Sequence, residues 1–212
     1  ETKAHIITYG FEEKSAIKIS DFKYTNTGEN KPTGIMFTIN KSGDSTPVYI
    51  YGSLGKSQAY AAAAAAAVGT IFGISLGNIS EALGQYRGPK GRLKIISGVN
   101  NSIIIDDTYN AAPSSAQIAL ETLRDLQASR KIAILGDMLE LGKYADNSHK
   151  NIGFDTKSSA DILVCVGPLS KLIAQASEIP KDRIFIFNTS DEAKLKIRGM
   201  IAPGDLILVK GS

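Results

Sequence analysis

The feature that most narrows what this chain can fold into is a rhythm of short apolar runs between Ile103 and Val209. The runs cover Ile103 to Asp106, Lys131 to Leu135, Ile162 to Val166, Arg183 to Phe187 and Leu206 to Val209. Between them lie stretches with helical spacing, about 114–127, 149–159, 169–177 and 192–200. Runs of four to six residues without polar alternation suit strands buried on both faces, and parallel strands need a helix to return each connection. The pattern predicts an α/β fold with a doubly wound, mostly parallel, Rossmann-like sheet. Pro113 followed by Ser114 and Gln117 predicts a capping box at the start of the first helix.

The region before this rhythm has a different pattern. Ile35, Phe37 and Ile39 alternate with Met36, Thr38 and Asn40, as in a half-buried strand. Lys41-Ser42-Gly43-Asp44 signals a turn, and Val48 to Tyr51 is the returning strand. A helix over about Gln58–Phe72 contains seven consecutive alanines, which favour helix and allow close approach to a neighbour. A second short helix is expected over Leu76–Gln85, and residues 86–92, rich in Gly, Pro and charge, form the best linker candidate.

Composition removes several classes of function. The apolar fraction of 43% over 212 residues permits a sizeable core. A net charge of +3, with both signs interspersed, describes a mixed solvated surface and predicts neither a nucleic-acid nor a membrane partner. The longest apolar stretch, Ala59 to Val68, is too short to span a bilayer. The lone cysteine, Cys165, lies in an apolar run and is expected to be a small buried hydrophobe. One cysteine forms no internal disulfide, which fits a reducing, cytoplasmic setting. No leader segment is visible, and both ends look like cuts in a longer chain.

Ligands of open α/β sheets bind beyond the carboxyl ends of the strands. Here those ends are Asp106-Asp107-Thr108-Tyr109-Asn110, Gly136-Asp137, Gly167-Pro168, Asn188-Thr189 and Lys210-Gly211-Ser212. Adjacent carboxylates repel, so Asp106 and Asp107 call for hydroxyls, cations or a metal nearby. Gly52-Ser53-Leu54-Gly55-Lys56-Ser57 precedes a helix, but its two-residue spacing between glycines cannot form the phosphate loop that needs four. His149 is expected on a helix surface near its start, and His5 shows no partner. No His/Cys metal spacing is present, so no metal ligand is assigned.

Together these segments resemble the Mur ligases. Gly88-Pro89-Lys90-Gly91-Arg92-Leu93 is similar to that family's linker into its C-terminal domain. Residues Asp106 to Pro113 resemble its Asp-Asp-Ser-Tyr-Asn-Ala-Asn-Pro signature, with Thr108 and Ala112 as departures. Gly136-Asp137-Met138-Leu139-Glu140-Leu141-Gly142, with His149 downstream, resembles a further signature, and Leu208 to Ser212 resembles the last strand. Residues 1–88 are similar to the C-terminal half of the family's central ATPase domain, built of strands plus an Ala-rich helix, and residues 89–212 to its C-terminal domain. Ser57, Gln58 and Ala61 depart from the Gly-x-His-Asn and the following Asn often seen in that helix.

The resemblance implies an ATP-dependent amide ligase with Mg2+, whose metal ligands and phosphate loop belong to a part of the family fold not matched here. It implies UDP-N-acetylmuramoyl-tripeptide and D-Ala-D-Ala as substrates, a monomer, and a chain inactive by itself. Arg92, Asp107 and Tyr109 would bind ATP: Arg92 at the phosphates, where its fork of donors suits them, and Asp107 at the ribose hydroxyls. Asn110, Asp137 and Lys210 would face the other substrates. Three alternatives stand beside it: a sister ligase with another amino acid, a phospho-receiver using Asp106, Asp107, Thr189 and Lys210, and a non-catalytic homologue. The receiver reading lacks an aspartate at Val166-Gly167-Pro168, where its phosphate acceptor belongs.

Overall fold

The computed structural model describes residues 4, 6–28 and 31–211; the expectations for His5 and Ser212 lie outside them. The chain separates into two compact units, the first built from residues up to Thr27 and from Pro32 to Gly88, the second chiefly from Pro89 onward.

In the first unit, β1 (Tyr9–Gly10), β2 (Ile17–Asn26), β3 (Pro32–Lys41) and β4 (Asp44–Tyr51) form a sheet in that order. β1 and β2 are parallel and the other pairs antiparallel. Period-two alternation buries Ile17 and Ile19, then Ile35, Phe37 and Ile39, then Val48 and Ile50 on one face. Helix α1 (Lys56–Ile71) covers that face through Ala59, Ala62, Ala63, Ala66 and Ala67. α2 (Leu76–Gln85), capped by the Ser75 hydroxyl accepting from the Asn78 N–H, adds Ile79. The alanines supply helix propensity and close approach, while the branched strand residues supply the bulk.

The second unit is an open sheet of six strands in the order β5-β6-β10-β7-β8-β9. They are β5 (Lys94–Ser97), β6 (Ile103–Asp107), β7 (Lys131–Gly136), β8 (Ile162–Val166), β9 (Ile184–Phe187) and β10 (Leu206–Lys210). The five apolar runs pair in parallel, and β5 joins β6 antiparallel at one edge. This strand was not anticipated, because Lys94-Ile95-Ile96-Ser97 directly follows the linker signal.

Helices α3 (Pro113–Asp125), α4 (Ala145–Thr156) and α5 (Lys171–Ala176) follow β6, β7 and β8, and α6 (Ser190–Ile197) follows β9. α6 lies on the sheet face that carries Ile132, Val164 and Ile207, packed through Ala193 and Ile197. Cys165 points to the opposite face, where it meets the backbone of Ala174 in α5. Helices on both faces explain why the strands are apolar throughout.

Two local expectations are corrected. The Ser114/Gln117 box does not form: Ala112 is the N-cap and Pro113 the first helical residue, so the start lies one residue earlier than expected. Ser115 Oγ instead accepts from the Ala112 N–H at 3.1 Å and donates to the Ala112 carbonyl at 3.0 Å, while Gln117 donates to Asp155 at 3.4 Å. His149 is not at the surface near a helix start. α4 begins four residues upstream, which places His149 inside the helix and fully buried. The cause is the backbone of the preceding loop, described below.

Candidate functional site

Because β6, β10, β7, β8 and β9 are parallel, their carboxyl ends lie along one edge of the sheet. The chemistry-bearing residues of this unit collect there. β10 inserts between β6 and β7, and its register sets Lys210 opposite Asp107. Paired residues of neighbouring strands share a face, so the two side chains meet: Lys210 Nζ is 2.9 Å from Asp107 Oδ2. Lys210 is 4% exposed and Asp107 6%. The ammonium also donates to the Asn110 carbonyl at 2.5 Å.

The two adjacent carboxylates are satisfied by different partners. Asp107 Oδ1 accepts from the Leu93 N–H at 3.1 Å. Asp106 Oδ2 accepts from the Gly91 N–H at 2.9 Å, and its Oδ1 accepts from the Thr108 hydroxyl at 2.6 Å. The Tyr109 N–H donates back to the Gly91 carbonyl at 3.2 Å. Segment 91–93 is therefore laced to the end of β6 from both sides. Gly91 is required in this lacing, since a Cβ there would stand 2.7 Å from the Tyr109 nitrogen and its φ is +71°. Arg92, between the two anchors, is exposed and lays its guanidinium 4.0 Å from the centre of the Tyr109 ring. Tyr109 is 67% exposed, and Asn110 is exposed with its side-chain oxygen accepting from the Ala111 N–H at 2.7 Å.

Asp137 follows the end of β7 a short way along the same edge. Its Oδ1 accepts from the Ser170 N–H at 2.7 Å, and its carboxylate fills the space above Gly167, where a Cβ would come within 2.5 Å. Ser170 in turn donates to the Gly167 carbonyl at 2.8 Å. Asp137 thus ties the β7 end to the β8 end. Burial pushes the Cys165 thiol up to about 12; a backbone hydrogen bond at Ala174 opposes this and the Asp137 charge adds to it. The thiol is a packing group, as expected.

The loop after Asp137 hangs on His149. The Met138 N–H donates to His149 Nε2 at 3.0 Å, and His149 Nδ1 lies 2.7 Å from the Ala145 carbonyl. A backbone N–H can only donate, so Nε2 must accept and Nδ1 must carry the hydrogen. Neither partner is a side chain, so no spacing pattern could have revealed the pair. Leu139 and Glu140 are exposed beyond this anchor, and Glu140 holds a φ of +62°.

Beside this edge a groove of about 720 Å3 runs between α6 and the sheet, with Ile104, Ile134, Val166 and Val209 on its floor and Asp137 and Lys210 among its lining. Thr189 serves as the N-cap of α6, its hydroxyl accepting from the Glu192 N–H at 3.3 Å. Among the described residues, no three or more His, Cys, Asp and Glu side chains converge as a metal site requires. Nor is any helix among them long and apolar enough to cross a membrane.

The edge therefore unites Arg92, Asp107, Tyr109, Asn110 and Lys210 in one cluster, with Asp137 further along. An open α/β domain with an acidic pair at its first parallel strand and an arginine stacked beside it has the ligand-binding edge of a doubly wound sheet. The chain belongs to the Mur ligase family: residues 91–212 match the Mur ligase, glutamate ligase domain. It is 32% identical over 163 residues to the UDP-N-acetylmuramoyl-tripeptide–D-alanyl-D-alanine ligase of Bacillus subtilis strain 168, covering 75% of this chain and 36% of that protein. With the Escherichia coli K12 protein of the same name it shares 32% identity over 196 residues, 91% of this chain and 42% of that one. The chain thus spans well under half the length of either relative. The MurF ligase from Thermotoga maritima, solved in complex with ADP, shares the fold: TM-score 0.81, 22% identity, 97% of this chain and 45% of that one.

Proposed function

We propose that this chain is part of an ATP-dependent amide ligase that joins D-Ala-D-Ala to UDP-N-acetylmuramoyl-tripeptide in peptidoglycan precursor synthesis. On this reading residues 1–88 are the C-terminal half of the central ATPase domain and residues 89–212 the C-terminal domain. The observation that carries it is the clamp on segment 91–93, which holds Arg92 against Tyr109 at the mouth of the acidic strand end. Identity to two relatives that carry this activity in their names supports the choice of substrates.

The chemistry follows from what a carboxylate lacks. Its oxygen is a poor leaving group at neutral pH. Transfer of the γ-phosphoryl of ATP to the tripeptide carboxylate gives an acyl phosphate and ADP. The D-Ala-D-Ala amine then attacks the acyl carbon, the carbon–oxygen bond to phosphate breaks, and an amide and inorganic phosphate leave. Catalysis is then mainly positioning and stabilisation of phosphate charge. Arg92 is suited to phosphate oxygens, because a planar, permanently charged fork stacked on a ring keeps its donors aimed. Tyr109 completes the nucleotide side and Asn110 and Asp137 face the incoming groups, while Asp107, its oxygens held by the Leu93 N–H and Lys210, supports the segment from behind. Magnesium would neutralise phosphate charge, and no residue of this chain is assigned to it.

The test is ADP release by the full-length protein supplied with UDP-N-acetylmuramoyl-tripeptide and magnesium ATP, with and without D-Ala-D-Ala. Release that depends on the dipeptide is expected. Release that depends instead on another amino acid would reassign the chain to a sister ligase, and no amine-dependent release would end the ligase reading.

A further inference from the structure

We propose that Lys210 is a positioning residue of this site: it sets Arg92 through Asp107 and through the Asn110 backbone, and contacts neither nucleotide nor peptide. The inference rests on the ligase reading for its functional consequence, and on geometry alone for its structural one.

Two groups hold the Lys210 ammonium, and both belong to the acidic segment. Its Nζ donates to Asp107 Oδ2 at 2.9 Å and to the Asn110 carbonyl at 2.5 Å. The residue borders the groove beside α6, but its side chain is turned to these partners and is only 3% exposed. These two grips are three residues apart and hold Tyr109 between them. Each leads to Arg92 by a separate route. On the first, Asp107 uses its other oxygen to accept from the Leu93 N–H, fixing the residue next to Arg92. On the second, the grip on the Asn110 carbonyl fixes the backbone next to Tyr109, on whose ring the guanidinium lies.

A buried ion pair is weak evidence for stability, because desolvation offsets most of the attraction. What it supplies is geometry, since a cation with directed donors accepts only a few arrangements of its partners. Lys210 arrives on β10, the last of the described strands in chain order, and reaches across to a segment about a hundred residues earlier. It therefore reports to the Arg92 segment whether the central strand is seated.

The test uses Lys210→Met and Lys210→Arg. In amide NMR spectra of this chain without substrates, Lys210→Met is expected to shift the Leu93, Tyr109 and Ala111 resonances, and Lys210→Arg to shift them less. In the full-length protein, Lys210→Met is expected to raise the KM for ATP about tenfold, the loss that follows when a hydrogen bond to a charged group is misplaced. The KM for D-Ala-D-Ala should stay unchanged, and Lys210→Arg should recover most of the ATP effect. Unmoved amides with a raised KM for the dipeptide or the tripeptide would overturn the proposal and make Lys210 a substrate ligand. Should Lys210→Met fail to fold, the paired variant Lys210→Met with Asp107→Asn removes both charges; unmoved Leu93 and Ala111 amides there would equally overturn it. If the parent protein releases no ADP with any amine, the ligase reading fails, while the amide shifts still decide what Lys210 positions.

Discussion

His149 offers the sharpest energetic test of how the edge of the sheet is built. Replacing it with Phe keeps roughly the same volume and removes both ring nitrogens. The loss falls on the N–H of Met138, a residue only 2% exposed, which donates to Nε2 at 3.0 Å. A buried donor left without a partner costs about 1–3 kcal/mol. With a urea dependence of about 2 kcal/mol per molar, a cost near the middle of that range lowers the denaturation midpoint by about 1 M. The Ala145 carbonyl adds little, since it lies at the start of α4 and keeps its intrahelical acceptor role. His149→Gln separates the causes, because its amide oxygen reaches the position of Nε2 and can accept from Met138. The assay is equilibrium urea unfolding of both variants, with the exchange rate of the Met138 amide as a local readout. A His149→Phe variant as stable as the parent, or a His149→Gln variant no better than it, would refute the reasoning.

Two further outcomes are expected. Ala112 sits at the N-cap of α3 in an extended conformation without a capping side chain, so Ala112→Asn should add about 1 kcal/mol, seen as a raised midpoint for the second unit. No gain would mean that the Ser115 hydroxyl already does the work of the cap. Cys165, whose thiol is raised from 9.0 to about 12, makes stability depend on pH at the alkaline end. The unfolded thiol ionises above 9.0 while the buried one keeps its proton. The unfolded state then binds fewer protons, and stability falls as pH rises from 9.0 towards about 12. Cys165→Ala should flatten that fall when stability is measured across the window.

The strands and helices of the second unit were legible because parallel strands buried on both faces leave uninterrupted apolar runs, as at Ile162 to Val166. The acidic pair was legible as a feature needing partners, and it has them in the Lys210 and Thr108 side chains and three backbone amides. Backbone partners were the part that could not be read. The Gly91 and Leu93 N–H groups, the Met138 N–H and the Asn110 carbonyl carry no side-chain signature, yet they decide where Arg92, His149 and Lys210 lie. β5 was missed for a related reason: an antiparallel edge strand of four residues, two of them polar, looks like the end of a linker. The start of α3 shifted because proline fixes the first helical residue more strongly than a serine fixes a cap.

The placement of β10 has a consequence for how the molecule is made. The strand that completes the middle of the sheet, between β6 and β7, leaves the ribosome after the five other described strands. Until Leu206 to Lys210 has emerged, β6 and β7 each present an open edge to other nascent chains. Loop closure over about a hundred residues must precede any reward from these contacts, which marks this step as the slow one in assembly. The nascent protein therefore passes through an interval in which its most aggregation-prone surfaces are exposed, and a chaperone that shields bare strand edges would find its substrate there.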